Sequence, residues 1–329
     1  MKILNKKFIV TLLLLTGFAG CKQGEKTTFF EEIKQGYTSE DLAEIWLDPE
    51  YPHIFTVAHR ANLQAGSEIP ENSILAIETA IKYGIDVLEI DLKETADGEI
   101  IVMHDRTVDR TTNSSGRIKN MSLEEIQQLL LINDAGATDQ RVPTLDEVLE
   151  LTKGKVLIYL DHAGPIMEKA LEIVIQHNML HQIIINSREK PEVVAERLQD
   201  FPAGEVNFMP VVNIKNYNDQ ELEELIIDFK ELVGISSICL VFDEEEYHRV
   251  DENFIRSIRK YGLRVWVNTL WDGRLSGGLA DEDLPDDPDQ VWGELISKGF
   301  DIFQTDESAL FRAFITSTHF QEKYYQVVD

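Results

Sequence analysis

The sequence predicts an α/β fold in which eight parallel strands close into a (β/α)8, or TIM, barrel that carries a β-hairpin and a helical insertion after its second strand. Short runs rich in valine and isoleucine alternate with longer amphipathic stretches between residues 54 and 306, which is typical of strands that alternate with helices in a parallel sheet. The chain has 329 residues and a hydrophobic content of 43%, so one barrel domain of ordinary size accounts for most of it.

The apolar runs number one more than the barrel needs. In chain order they are IFTVAH, VLEIDL, IIVMHD, VLIYLD, QIIINS, FMPVVN, SSICLVF, RVWVNTL and DIFQTD. Only the turn-bearing segment KETADGE separates VLEIDL from IIVMHD, and a crossover between parallel strands needs about a dozen residues or more. These two runs therefore predict an antiparallel hairpin around Asp97 and Gly98, which leaves eight strands for the barrel.

Helix starts are marked within the intervals between these runs. Ser122 with Glu125, and Thr144 with Glu147, have the spacing of capping boxes, in which each side chain binds a backbone N–H at the start of a helix. The first of these pairs predicts the helical insertion that follows the hairpin.

The amino-terminal segment predicts export. Three lysines are followed by an apolar run from Phe8 to about Leu15 and then by small residues, which is the pattern of a signal peptide over residues 1–20. The apolar run is shorter than the roughly 20 residues that span a bilayer. The residues FAGC, which end at Cys21, resemble a bacterial lipobox and imply lipidation of Cys21; ordinary cleavage that leaves Cys21 free is the alternative.

The domain organisation follows from these segments. We expect a signal peptide at 1–20, a lipid-anchored tether at 21–50 with a helical pattern at Ser39–Leu47, and a single barrel domain at 51–329. A membrane-anchored lipoprotein on the periplasmic or cell-surface side is the expected localisation. The acidic, proline-broken stretch DEDLPDDPDQ at 281–290 predicts a solvated loop.

The charge of the chain limits its partners. A formal net charge of −28 excludes a nucleic acid, because binding a polyanion needs a basic surface. The negative electrostatic potential of such a chain also repels a free phosphodiester. Phosphate chemistry here therefore requires a local cation, either a metal or a well-placed arginine. The sequence indicates no protein partner.

Acidic residues on one predicted strand indicate a metal site. Glu89 and Asp91 are two residues apart in VLEIDL, so their side chains point to the same face. Such a pair commonly lies on the solvent-exposed face of an amphipathic strand. In a parallel barrel neither face is exposed to solvent, because helices cover the outside and side chains fill the interior. Buried carboxylates favour one hard divalent cation, Mg2+ or Ca2+, and Asp161 at the end of VLIYLD is the candidate third ligand.

Two histidines and an arginine follow predicted strands at the carboxyl-terminal mouth of the barrel, where barrel enzymes place their chemistry. His59 and His104 are candidates for a general base and a general acid, although a single histidine at a strand end is more often structural. The fork of Arg60 matches two oxygens of a phosphodiester. A salt bridge from Arg60 to Glu89 or Asp91 is the alternative, and both roles can coexist.

Six short motifs stand in a fixed order within about 55 residues: V-A-H-R, P-E-N-S, L-E-I-D, T-A-D-G, M-H-D and D-R-T-T. Together they resemble the signature of the glycerophosphodiester phosphodiesterase family, and a looser resemblance extends over roughly residues 54–310. It implies metal-dependent hydrolysis of a glycerophosphodiester to an alcohol and glycerol 3-phosphate. It also implies that Trp266 and Asn268 line the substrate pocket, whereas a core position is the ordinary alternative for a tryptophan.

The chain departs from the family pattern at two places. Ala61 stands where most relatives have glycine, which matters little if the backbone angle there is ordinary. Alignment with the family's Glu-x-Lys places Asp161 on the glutamate and Ala163 on the lysine, so a phosphate-binding lysine is missing. The alternatives are a phospholipase-like activity on lipids or other phosphodiester head groups, or an inactive surface binding lipoprotein, against which the intact histidines and carboxylates argue.

Overall fold

The computed structural model describes residues 36–202, 204–271, 273–284, 287–317, 319–320 and 323. The expected signal peptide and lipidation at Cys21 lie outside the described residues and stay predictions. None of the described helices combines the length and the apolar character needed to cross a membrane.

In the described part of the chain, strands and helices alternate for most of its length. The strands are β1 (Phe55–Ala58), β2 (Val87–Glu94), β3 (Ile100–Val102), β4 (Ile132–Asn133), β5 (Gly136–Ala137), β6 (Leu157–Asp161), β7 (Ile183–Ser187), β8 (Asn207–Asn213), β9 (Ser237–Val241), β10 (Arg264–Asn268) and β11 (Ile302–Thr305). The α-helices are α1 (Ser39–Leu47), α2 (Ile74–Lys82), α3 (Leu123–Ile126), α4 (Leu145–Thr152), α5 (Met167–Gln176), α6 (Pro191–Leu198), α7 (Asp219–Leu232), α8 (Glu252–Arg259), α9 (Glu294–Lys298) and α10 (Ser308–Thr316).

Eight of these strands form a closed parallel barrel, which confirms the predicted fold. β2 and β6 to β11 pair with their neighbours in chain order, and β1 pairs with both β11 and β2. β3 pairs antiparallel with β2, with Leu92 opposite Val102, and Gly98 in the connecting turn has a φ of 88°. The predicted hairpin is therefore confirmed, and the small β4–β5 ribbon and α3 form the insertion that follows it.

The barrel strands are buried on both faces, as expected for parallel strands covered by helices. Their outward side chains, such as Leu88 and Ile158, pack with the helices in one large apolar cluster. Their inward side chains, such as Val87 and Tyr159, form a second cluster inside the barrel. Both predicted capping boxes are present, at the starts of α3 and α4.

Helix α1 closes the amino-terminal end of the barrel. Leu42 and Trp46 on this helix are fully buried and belong to the interior cluster, where the ring of Trp46 packs edge-on against Phe55 and Trp266. The helix expected at Ser39–Leu47 is present, but the tether does not extend to residue 50, because residues 36–50 are part of the barrel domain. The sequence pattern could not show this burial, since it depends on distant strands.

A buried arginine links helix α1 to the barrel. The side chain of Arg264, at the start of β10, is fully buried and donates hydrogen bonds to carbonyl oxygens of Ile45, Trp46 and Asp48. It also pairs with Asp301, with an Nη1–Oδ2 distance of 2.8 Å. A buried guanidinium is stable only when its donors are satisfied in this way.

Candidate active site

Three carboxylates meet at the carboxyl-terminal mouth of the barrel. Glu89 and Asp91 lie two residues apart on β2, and Asp161 at the end of β6 is directly opposite Asp91 in the strand register. One oxygen from each of the three carboxylates lies within 4.8 Å of the others. The structure therefore brings the three expected metal ligands together.

Glu89 has an oxygen that lacks a partner. Its Oε2 accepts a hydrogen bond from the Arg60 backbone N–H at 2.6 Å, whereas its Oε1 is buried and has no hydrogen-bond partner in the described part of the protein. Burial, followed by the charges of Asp91 and Asp161, raises the pKa of Glu89 well above its ordinary value. An orphaned carboxylate oxygen beside two further carboxylates fits one hard divalent cation.

Both carboxylate oxygens of Asp91 have a side-chain partner. Its Oδ2 accepts a hydrogen bond from the Asn72 side chain at 2.8 Å, and its Oδ1 lies 2.7 Å from Nδ1 of His162. Burial alone would raise the pKa of Asp91, but the hydrogen bonds from His162 and Asn72 and the nearby positive charges lower it. His162 and His104 also form a possible metal-binding group with Asp91, which brings imidazole nitrogens to the edge of the carboxylate site.

His59 directly follows β1 and contacts Asp306, whose backbone N–H in turn bonds to Asp281. Its Nδ1 lies 2.7 Å from Oδ1 of Asp306, which follows β11. Asp281 accepts hydrogen bonds from the hydroxyls of Thr269 and Thr305, at 2.6 and 2.9 Å, and from the Asp306 backbone N–H at 2.8 Å. Burial raises the pKa of Asp281 to about 6. The acidic stretch expected to be a solvated loop therefore begins with a buried, hydrogen-bonded residue.

His104 follows the hairpin strand β3 and has a similar carboxylate partner. Its Nδ1 lies 2.7 Å from Oδ1 of Asp105, which also accepts two hydrogen bonds from the guanidinium of Arg110. The hydrogen bond from Arg110, with that from His104, holds the pKa of Asp105 well below its ordinary value. Because a carboxylate engages Nδ1 in both His59 and His104, Nε2 is the nitrogen positioned to exchange a proton with a ligand.

Arg60 lies at the same mouth and pairs with an unexpected partner. Its Nη1 donates to both carboxylate oxygens of Glu71, at 3.0 and 3.1 Å, and its Nε is 3.9 Å from Oδ2 of Asp91. The expected salt bridge to Asp91 is therefore a weak contact, and Glu71 is the principal partner. The Nε atom is buried and has no hydrogen-bond partner among the described residues, so Glu71 does not satisfy all the donors of Arg60.

The model of the Glycerophosphoryl diester phosphodiesterase family matches residues 59–273, the stretch that contains both histidines and all three carboxylates. The chain belongs to this family. The family assignment made from the motifs, and the expectation that the chain is an enzyme of this family, are confirmed.

Sequence and structure comparisons agree with this assignment. A "Glycerophosphodiester phosphodiesterase" of Bacillus subtilis is 30% identical over 242 residues, which cover 66% of this chain and 76% of the relative. A glycerophosphoryl diester phosphodiesterase structure from Parabacteroides distasonis has a TM-score of 0.64 at 22% identity and covers 87% of this chain and 96% of its own. A phosphodiesterase from Oleispira antarctica, solved with the product sn-glycerol-3-phosphate, has a TM-score of 0.58 at 19% identity, over 80% of this chain and 98% of its own.

Ala61 departs from the family in a way that matters to the backbone. Its φ is 57°, next to Arg60 with a φ of 53°, so the alanine adopts the left-handed conformation that glycine adopts without strain. The change from glycine was expected to matter little if the backbone angle at Ala61 is ordinary, and this condition is not met. This conformation directs the Arg60 N–H toward Glu89, so the strained turn helps to fix a carboxylate of the site.

The second departure from the family is at Ala163, which was aligned with the family's phosphate-binding lysine. Ala163 is fully buried and belongs to the apolar cluster between the barrel and its helices, so its side chain points away from the mouth. His162 has a φ of 57° and points into the mouth, where it contacts Asp91. The left-handed residue interrupts the alternation of the strand, and His162 occupies the position at the mouth that the alignment gave to Ala163.

The two residues expected to line the substrate pocket differ in position. Trp266 is fully buried inside the barrel, where its ring packs 4.8 Å from that of Tyr159, so the structure supports the core alternative and not contact with a ligand. Asn268 is half-buried at the end of β10 and accepts a hydrogen bond from the Trp266 indole at 2.7 Å. The indole N–H of Trp266 thus helps to orient the side chain of Asn268.

Sequence reasoning gave no role to several residues that hold the site together. Five of them are hydrogen-bond partners of the expected site residues: Glu71, Asn72, Asp105, His162 and Asp306. The other two, Arg110 and Asp281, bond to those partners. Four of these seven residues stand inside the P-E-N-S, M-H-D and D-R-T-T motifs, so the motifs contained a signal for them. For His162 and Asp281 no comparable signal exists.

Proposed function

We propose that the protein hydrolyses a glycerophosphodiester to an alcohol and glycerol 3-phosphate, with one divalent cation, Mg2+ or Ca2+, held by Glu89, Asp91 and Asp161. One observation carries the proposal. A single mouth combines two histidines, each with Nδ1 on a carboxylate, with three converging carboxylates, one of which has an unpartnered buried oxygen. The product bound to the Oleispira antarctica phosphodiesterase supports glycerol 3-phosphate as the product here.

The residues at the mouth have complementary tasks in this reaction. A bound divalent cation would supply charge neutralisation at a phosphoryl oxygen. Of His59 and His104, one accepts at Nε2 a proton from the attacking oxygen, and the other donates a proton from Nε2 to the departing alkoxide. The attacking oxygen is that of water, or that of a glycerol hydroxyl that forms a cyclic phosphate which water then opens. Asp306 and Asp105 accept the Nδ1 hydrogen of these imidazoles and stabilise whichever ring becomes charged. Arg60, oriented by Glu71, donates to the phosphate.

The proposal is tested by a coupled assay that detects glycerol 3-phosphate, run with several glycerophosphodiesters in the presence and absence of a chelator. We expect release of glycerol 3-phosphate that the chelator abolishes. Glu89→Gln should lose the activity, because it removes a charged oxygen at the centre of the carboxylate cluster. Glu78→Gln, on the exposed face of α2, is the matched control and should retain it. Full activity after chelation, or release of a different phosphate ester, would contradict the assignment.

We also propose that the protein is exported and attached to a membrane through Cys21. The lysine-flanked apolar segment and the lipobox-like FAGC support this proposal. The domain that would be presented outside the cytoplasm is the single barrel. Hydrolysis of intact membrane lipids, measured as release of their head group, with soluble diesters left intact, would favour the phospholipase-like alternative.

A further inference from the structure

Three cations at this end of the barrel are paired with carboxylates. Arg60 pairs with Glu71 at 3.0 Å, and Arg110 pairs with the same Glu71 at 2.7 Å and with Asp105 at 2.8 Å. Lys215, which follows β8, is held by Asp243 at 3.1 Å and Glu245 at 3.4 Å. A phosphodiester that enters this mouth therefore meets paired arginines beside a cluster of acidic residues. A further, unpaired positive charge would favour its binding.

Arg188 lies where such a charge is useful. The register of β6 and β7 pairs Leu160 with Ile185, and one residue further along the Asn186 side chain donates a hydrogen bond to Asp161 Oδ1 at 3.0 Å. Asn186 thus faces the metal-ligand cluster. Arg188 directly follows β7, two residues after Asn186, and so lies at the same end of the barrel as the metal-ligand cluster.

The charge of Arg188 reaches the barrel axis. Burial is the main influence on Tyr159 and Cys239 and raises the pKa of both, but the positive charge of Arg188 acts on both in the opposite direction. Tyr159 on β6 and Cys239 on β9 both belong to the interior cluster, on strands either side of β7 and β8. The guanidinium of Arg188 is therefore close enough to the interior of the barrel for its charge to act on both side chains.

Arg188 is also available for a ligand. Its side chain is exposed, and within the described ranges of the chain it forms neither an ion pair nor a hydrogen bond. The next residue, Glu189, is engaged by Arg197 at 2.6 Å and so does not neutralise it. An exposed arginine without a carboxylate partner, beside a cluster of three carboxylates, keeps its donors free for phosphate oxygens.

We propose that Arg188 is a substrate-binding residue that holds the phosphate group from the β7 side of the mouth, whereas Arg60 acts from the β1 side. The proposal rests on the proposed function for the identity of the substrate, a glycerophosphodiester. Its chemistry requires only a phosphate mono- or diester whose oxygens accept two hydrogen bonds from one guanidinium. Such an interaction acts on bound substrate and product alike, so it affects affinity more than the chemical step.

The test uses Arg188→Ala and Arg188→Lys in the full chain with saturating divalent cation. Arg256→Ala removes the same charge from the exposed face of α8 and is the matched control. Calorimetry measures the Kd of glycerol 3-phosphate and of inorganic phosphate, and the coupled assay measures KM and kcat separately. We expect Arg188→Ala to raise both Kd values and KM by roughly ten-fold or more, with a smaller change in kcat. Lysine should restore part of the affinity, since it keeps the charge but loses the fork.

Unchanged Kd and KM in Arg188→Ala would overturn the proposal, and so would an equal loss in Arg256→Ala, which would indicate a general charge effect. Wild-type protein that binds neither glycerol 3-phosphate nor phosphate would overturn it as well. Wild-type protein that binds both but releases no glycerol 3-phosphate would contradict the proposed function while the Kd series still supports the role of Arg188.

Discussion

The buried carboxyl of Asp281 makes the stability of this protein depend on pH in a predictable direction. Its pKa is raised by burial from the ordinary 3.8 to about 6, so the folded state binds its proton more tightly than the unfolded state does. Its favourable contribution to the free energy of unfolding is therefore complete below about pH 3.8 and is lost as the pH rises through about 6. The difference between the two values corresponds to about 3 kcal/mol.

Asp281→Asn removes this titration, because an amide stays neutral at every pH of interest. Urea denaturation from pH 4 to pH 7.5 should show that the wild-type protein loses up to about 3 kcal/mol relative to the variant over this range. The absolute stability of the variant also includes the altered hydrogen bonds to Thr269, Thr305 and Asp306, so the pH dependence of the difference is the decisive quantity. Asp283→Asn, an exposed residue of the same stretch, is the control and should follow the wild type.

Parallel pH profiles for the wild type and Asp281→Asn would refute this reasoning, because they would mean that Asp281 has the same proton affinity in the folded and unfolded states. A difference of the opposite sign would show that the hydrogen bonds to the carboxylate outweigh its burial.

Three further predictions concern catalysis and attachment. His59→Ala and His104→Ala should each lower kcat by roughly two to four orders of magnitude with an unchanged melting temperature. Near wild-type turnover in either variant would show that the replaced histidine is structural and not catalytic. Metal-stripped protein should be inactive and regain activity with Mg2+ or Ca2+, with one cation bound per chain by calorimetry; cation binding that survives Glu89→Gln unchanged would exclude the proposed ligands. Cys21→Ser should release a soluble protein with unaltered activity on soluble diesters, and mass spectrometry that finds an unmodified mature amino terminus downstream of Cys21 would contradict the anchor.

The architecture was predictable because its determinants are local. The run from Val87 to Leu92 and the run from Ile100 to Asp105 are too close in sequence for a parallel crossover, so the hairpin followed from chain length alone. The shared face of Glu89 and Asp91 followed from the two-residue period of a strand. In both cases the pattern depends on residues only a few positions apart.

The parts of the site that sequence reasoning missed depend on backbone conformation or on distant contacts. The alternation that was extended to Ala163 fails because His162 has a positive φ, and a strand period cannot predict where a strand stops being extended. The hydrogen bond between His59 and Asp306 joins residues 247 positions apart, which only the closure of the barrel brings together. The burial of Trp266 likewise depends on Trp46, from a helix outside the barrel strands.

The hydrogen bonds of Arg264 determine where this chain can be cut without harm. Its guanidinium is fully buried and depends on acceptors contributed by the segment from Ile45 to His53. A cut before residue 36 leaves all of these acceptors in place. A cut between residues 47 and 53 that releases this segment would leave the buried guanidinium of Arg264 without part of its acceptors, at a cost on the order of several kcal/mol. It would also uncover the amino-terminal end of the barrel. The position of a single cleavage thus decides whether the barrel domain keeps the contacts that close its amino-terminal end.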